Sequence, residues 1–125
     1  MIHLDTSALI DALTGTRRAA PDLRRIFERG ERVQVSTIVL YEWLRGPRQP
    51  AELKDQELLF PRNAAVPFGV AEADRAARLY AQVTRPRGRE FDLAIAACAI
   101  AHNASLWTMN GEDFADIPGL MLARD

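Results

Sequence analysis

At 125 residues the chain is long enough to close one hydrophobic core and too short for two, so it is read as a single domain over 1–125. Hydrophobic content of 48% with 26% charged residues excludes a disordered chain, and a net charge of -1 excludes a protein that holds nucleic acid by bulk positive charge alone. The single cysteine, Cys98, excludes an internal disulfide and a multi-thiolate zinc site, and its apolar surroundings suit a small buried residue. All basic residues but Lys54 are arginine, the side chain suited to forked contacts with phosphate or carboxylate. No basic-then-apolar leader opens the chain and no apolar run nears the ~20 residues of a membrane span, so a cytoplasmic location away from membranes is expected.

Residues 1–4 form a short apolar run that predicts a strand. Asp5, Thr6 and Ser7 are all helix-capping types, and the mostly apolar 8–13 predicts a helix. Asp5 is then either a cap or a carboxylate at the carboxyl end of a first strand, the edge where open parallel sheets bind ligands. Beyond Thr14-Gly15-Thr16, Pro21 opens a second helix with Leu23, Ile26 and Phe27 as its apolar stripe and Gly30 at its end. Arg17, Arg18, Arg24 and Arg25 cluster there, as a solvated face or as a nucleic-acid contact. Residues 32–36 alternate as a strand, and Ser36-Thr37 caps a helix that Gly46-Pro47 closes. Ile38, Tyr41 and Leu44 share one face of that helix and Val39 with Trp43 another, so Glu42 stands among apolar neighbours and needs a partner or a metal.

A charged helix over 51–60 ends near Pro61, and 63–68 holds a short strand. The helix over 71–84 turns Ala73, Ala76, Ala77, Tyr80 and Val83 inward and Glu72, Asp74, Arg75 and Arg78 outward. Its alanines would let another helix approach closely, within the fold or in a dimer. Residues 85–90 are an exposed loop with Arg85, Arg87 and Arg89 on alternating positions. It leads into 91–103, a helix apolar almost all round and therefore central. Asp92 in the first turn meets the positive end of the helix dipole, as a cap or as a site carboxylate. Strands over 105–109 and 120–122 flank a loop that carries Asn110, Glu112 and Asp113. The alternation predicts an α/β sandwich with a mainly parallel central sheet, without repeat or linker. His3, in an inner strand, and His102, near a helix end, are read as structural.

Asp5, Glu42 and Asp92 come from three separate elements. Carboxylates brought together repel, and either their pKa values rise or a cation joins them. Hard oxygen ligands without imidazole or thiolate select Mg²⁺ or Mn²⁺ over zinc, and such an ion suits phosphodiester hydrolysis. No phosphate-cradling glycine motif, no nucleophile elbow and no second Asp in a D-x-D pattern (Ser7 holds that place) is present.

Four stretches now fall in one order: Leu4-Asp5-Thr6-Ser7-Ala8-Leu9; Ser36-Thr37 through Tyr41-Glu42 to Gly46; Phe91-Asp92-Leu93-Ala94-Ile95-Ala96-Ala97; and Thr108-Met109-Asn110-Gly111-Glu112-Asp113-Phe114 followed by Ile117-Pro118-Gly119-Leu120. In this the chain resembles the PIN-domain endoribonucleases, and among them the VapC-type toxins of toxin–antitoxin pairs, over nearly its whole length. The resemblance implies a PIN-like α/β/α sandwich whose acidic cluster binds Mg²⁺ or Mn²⁺ and cleaves single-stranded or looped RNA. By family pattern Asp5 and Asp92 are the principal metal ligands, and Glu42 completes the site directly or through water. The family's fourth acidic position falls on Asn110, which brings no charge, and Asp113 is the nearest residue able to supply it. Thr6 or Ser7 could hold a water or phosphate, and Arg85, Arg87 and Arg89 beside Asp92 are placed to grip substrate phosphates. A homodimer and an antitoxin chain covering the cleft are also implied. Two other readings stand beside this one: a non-catalytic RNA-binding or scaffold module, and a PIN nuclease acting in RNA maturation or on DNA.

Overall fold

The computed structural model describes residues 1–123. At its centre lies β1 (Ile2–Leu4), flanked by β2 (Val33–Gln34) and β3 (Ser105–Trp107) in the order β2-β1-β3, with both pairings parallel. All three residues of β1 are buried, so both faces of the sheet are covered, as an all-parallel sheet requires. The helices are α1 (Thr6–Leu13), α2 (Ala20–Glu28), α3 (Thr37–Arg45), α4 (Pro50–Leu59), α5 (Val70–Gln82) and α6 (Glu90–Ala101). The expected α/β architecture with a parallel central sheet is present. Among the described residues no helix is long and apolar enough to cross a membrane.

Helix α6 is apolar on every side, with Leu93 through Ala99 all buried, and it packs against α5, α3 and β3 at once. Its alanines keep the surface low enough for those three neighbours to approach. Cys98 is among the fully buried residues, and burial pushes its thiol up to about 12, so it behaves as a small apolar side chain. On α3, Val39 and Trp43 are sealed in the core, and Ser36 caps the helix by accepting the Val39 N–H at 3.2 Å.

Several expectations are corrected. The strand expected over 63–68 is a 3-10 turn, Arg62–Ala64, followed by one parallel bridge between Ser36 and Val66. The next rung would take the Phe68 N–H, but Thr37 already begins α3 and that N–H goes to Thr37 Oγ1 at 3.1 Å instead. The last strand, expected over 120–122, is likewise one parallel bridge, Leu106 with Leu122. Along α5 the inward line is Glu72, Ala76 and Leu79, continued by Val83 at the C-cap, whereas Ala73, Ala77 and Tyr80 are exposed. Glu72 faces in because its carboxylate reaches back to the Gly69 N–H at 2.9 Å and lies 3.3 Å from His102 Nε2. Tyr41 and Phe27 are also exposed rather than packed inward.

Candidate active site

The carboxyl ends of β1 and β3 lie side by side because Leu4 pairs with Trp107. The residues that leave those strands, Asp5 and Thr108, therefore meet. Asp5 has the extended backbone of a helix N-cap and its carbonyl accepts the Ala8 and Leu9 N–H groups, but its side chain caps nothing. The carboxylate is only 4% exposed and takes two hydroxyl bonds on Oδ2, from Ser7 Oγ at 2.8 Å and Thr108 Oγ1 at 2.7 Å. Each hydroxyl in turn accepts a backbone N–H, Ser7 from Met109 and Thr108 from Asn110, both at 3.0 Å. With one proton each, both hydroxyls spend their donor on Asp5. Both bonds converge on one carboxylate oxygen and leave Oδ1 uncommitted by either.

Glu42 is held the same way from a different helix. Thr6 Oγ1 donates to its Oε1 at 2.6 Å, and Arg45, one turn along α3, donates to Oε2 at 3.3 Å. This supplies the partner that a carboxylate among apolar neighbours requires. The hydroxyls of Thr6 and Ser7, expected to hold water or phosphate, thus serve to orient the two carboxylates.

Asp92 occupies the first turn of α6. Its carboxyl is pushed up to about 6, first by burial and then by the charges of Asp5, Asp113 and Glu42, with Arg89 pulling the other way. The fold therefore brings four carboxylates from four separate segments into one electrostatic neighbourhood. Among the described residues no three of the His, Cys, Asp and Glu side chains converge tightly enough to hold an ion between them. Asn110 is exposed and starts the 3-10 turn Gly111–Asp113, accepting the Asp113 N–H at 3.0 Å. It is Asp113, on that turn, whose charge reaches Asp92.

The three loop arginines divide. Arg85 and Arg87 are exposed, whereas the guanidinium of Arg89 grips Asp116 at 3.0 and 2.6 Å and the Asp113 carbonyl at 2.9 Å. Its fork thus spans from the start of α6 to the turn bearing Asp113, and these bonds hold Asp116 below the usual carboxylate range. Of the second arginine cluster, Arg17 pairs with Asp55 and Arg18 with Asp11, both at 3.3 Å, and Arg25 pairs with Asp22. His3 and His102 lie elsewhere: their rings are 5.7 Å apart, and His102 follows the last turn of α6, at the opposite end from Asp92.

Sequence reasoning gave no role to Thr108, Arg45 or Asp116. Thr108 had a usable signal, since a hydroxyl residue directly after a strand at the ligand edge is placed to meet Asp5 once the parallel register is known. Arg45 had one as well, since Glu42 and Arg45 stand three residues apart on one helix; Asp116 had none, because its partner is fixed only by the packed structure.

The profile of the PIN-domain family matches residues 2–120 of the chain. Ribonuclease VapC19 of Mycobacterium tuberculosis is 33% identical over 123 residues, 94% of each protein. Among solved structures, the DNA-bound VapBC of Salmonella typhimurium aligns with a TM-score of 0.80 at 22% identity, over 98% of this chain and 96% of that one. A toxin–antitoxin complex from Klebsiella pneumoniae aligns with a TM-score of 0.73 at 26% identity, over 97% and 96%.

Proposed function

The chain belongs to the PIN-domain family and within it to the VapC-type proteins, and on that premise we propose that it is a metal-dependent endoribonuclease, the toxin of a toxin–antitoxin pair. The observation that carries the reading is the set of carboxylates around Asp92, whose own carboxyl is pushed up to about 6 by burial and by its acidic neighbours. Like charges gathered beside a partly buried acid, and only partly offset by Arg45 and Arg89, are what a divalent cation relieves. The donors are carboxylate oxygens alone, which fit Mg²⁺ or Mn²⁺. Asp5, Asp92 and Glu42 would hold the ion, with Asp113 adding charge. When bound, the ion supplies charge for phosphate oxygens and a more acidic water.

The remaining work falls to the chain. Ser7 and Thr108 fix Asp5, Thr6 and Arg45 fix Glu42, and Arg89 pins the turn that bears Asp113. Such preset geometry is what lets a site act on a phosphodiester without reorganising. Arg85 and Arg87 stand exposed to meet substrate phosphates, with Arg89 anchoring the loop behind them. Hydrolysis adds water across one phosphorus–oxygen ester bond of RNA.

The antitoxin reading is supported by the likeness to solved toxin–antitoxin complexes, and a groove between α1, α2 and α4 is the proposed seat for part of that partner. The groove encloses about 280 Å³ and is lined by Leu13, Leu23, Phe27 and Leu59, with Arg24 and Asp55 at its rim. Phe27 is 37% and the adjacent Leu58 72% exposed, as suits a groove that takes the apolar face of a partner segment. For a homodimer the outer face of α5, with Val70, Ala73, Ala77 and Tyr80 exposed, is the proposed contact. The protein would act in the cytoplasm, as one PIN domain. The test is to incubate the chain, freed of any partner, with cellular RNA in Mg²⁺, Mn²⁺ or chelator. Discrete cleavage that needs metal and is lost in folded Asp5→Asn and Asp92→Asn variants supports the reading. Intact RNA with a folded native chain and metal present refutes it.

A further inference from the structure

Tyr41 is 53% and Phe91 42% exposed, yet the two are not scattered surface residues. Their ring centroids lie 6.0 Å apart at an interplanar angle of 36°, and the Arg45 guanidinium carbon sits 5.3 Å from the centroid of each. Arg45 is itself anchored by its bond to Glu42. Each ring is also the chain neighbour of a site carboxylate, Tyr41 of Glu42 and Phe91 of Asp92, although the two rings come from different helices. Two exposed aromatic rings and a tethered guanidinium therefore border the acidic cluster directly.

We infer that Tyr41, Phe91 and Arg45 form a stacking platform for an unpaired base of the RNA strand whose phosphate lies at the carboxylates. The inference rests on the ribonuclease reading and extends it to how the strand is held. Aromatic faces and guanidinium planes are what single-stranded nucleic acids stack on, and the contact tolerates sequence because every base has a π-face. In a duplex those faces are covered by neighbouring bases, so the platform favours looped or unpaired RNA. Arg45 adds a positive charge on the strand's path at a place where Glu42 and Asp92 would otherwise repel phosphate.

The probe is a mixed-sequence single-stranded RNA carrying 2-aminopurine at internal positions, titrated with the Asp92→Asn chain. The platform predicts fluorescence quenching at one position or a narrow window of positions. Adding Tyr41→Leu and Phe91→Leu should abolish the quenching and weaken binding about 5- to 150-fold, the range for loss of base–aromatic stacking. Tyr41→Trp should restore it, and because both rings are exposed the thermal midpoint should hold. In an otherwise native chain the same pair should raise KM and leave kcat within a few-fold. Absent quenching, or quenching and affinity unchanged by the double replacement, overturns the platform. So does a double variant that runs as a smaller species than its parent on gel filtration, which would assign the rings to an interface between copies. Cleavage by the native chain that ignores the rings sinks the platform alone, whereas no cleavage in any metal sinks the ribonuclease reading beneath it.

Discussion

Replacing Asp92 by asparagine should stabilise the metal-free protein at neutral pH, although it removes a proposed metal ligand. The carboxyl of Asp92 moves from 3.8 to about 6 on folding, so the folded chain holds that proton more tightly than the unfolded one. The stability this confers is complete below pH 3.8 and is lost as pH rises through about 6. A shift of roughly two pKa units corresponds to about 3 kcal/mol at full coupling. Because Asp92 is partly solvated, screening reduces the usable part to about 1–2 kcal/mol. Asparagine keeps the shape and drops the charge, so at pH 7.5 in chelator its thermal midpoint should exceed the native one by about 3–8 °C. The gap should close by about pH 4, where both side chains are neutral. Circular dichroism melts of the two proteins from pH 4 to 8 read this directly. A variant no more stable than native at pH 7.5, or a gap that does not shrink on acidification, would refute the idea that burial and the neighbouring carboxylates penalise ionised Asp92.

Thr108→Val removes the proton that Asp5 Oδ2 accepts and the acceptor that the Asn110 N–H uses, so it should cost about 1–3 kcal/mol in denaturant melts and reduce cleavage more than Thr108→Ser does. Arg89→Gln cuts the clamp on Asp116 and the Asp113 carbonyl; as a largely solvated contact it should leave the thermal midpoint nearly unchanged, yet lower kcat about 10-fold or more by loosening Asp113. Equal kcat in native and variant would deny Arg89 that role. His3 is 1% exposed with neither ring nitrogen hydrogen-bonded, and burial first and then His102 lower its pKa to about 4. The unfolded chain takes that proton near pH 6.5 and the folded chain only near 4, so stability present above 6.5 is lost as pH falls. His3→Phe should flatten this acid limb by up to about 3 kcal/mol, most visibly in the Asp92→Asn background where the opposing carboxyl effect is gone.

How far the residues disclosed the fold depended on the range of the interaction. Helix α3 was legible to its ends because Ser36, the apolar spacing and Gly46-Pro47 are local signals, and α6 because an apolar run of that length must be central. The two missing strands were not legible, since whether an extended segment such as 63–68 makes a ladder or a single bridge depends on its neighbour, which here turns into α3 at Thr37. The orientation of α5 misled because alanine is at home on either face; Leu79 and the Glu72–Gly69 contact decide it. At the site, Asp5, Glu42 and Asp92 could be named from residue type and position, and the structure brings their charges together. Their supports could not: Thr108 meets Asp5 only through the β1–β3 register, and Arg89, read as a free phosphate ligand, is turned to Asp116 by a contact 27 residues away.

The central claim, that these carboxylates form a cation site, is tested most directly by calorimetric titration of Mn²⁺ or Mg²⁺ into the purified chain and into Asp5→Asn and Asp92→Asn. The account predicts saturable binding by the native chain that both variants lose, with release of about half a proton per ion near pH 6 and almost none at pH 8, because Asp92 must give up its proton to bind. Binding that both variants retain, or none in the native chain, would contradict it.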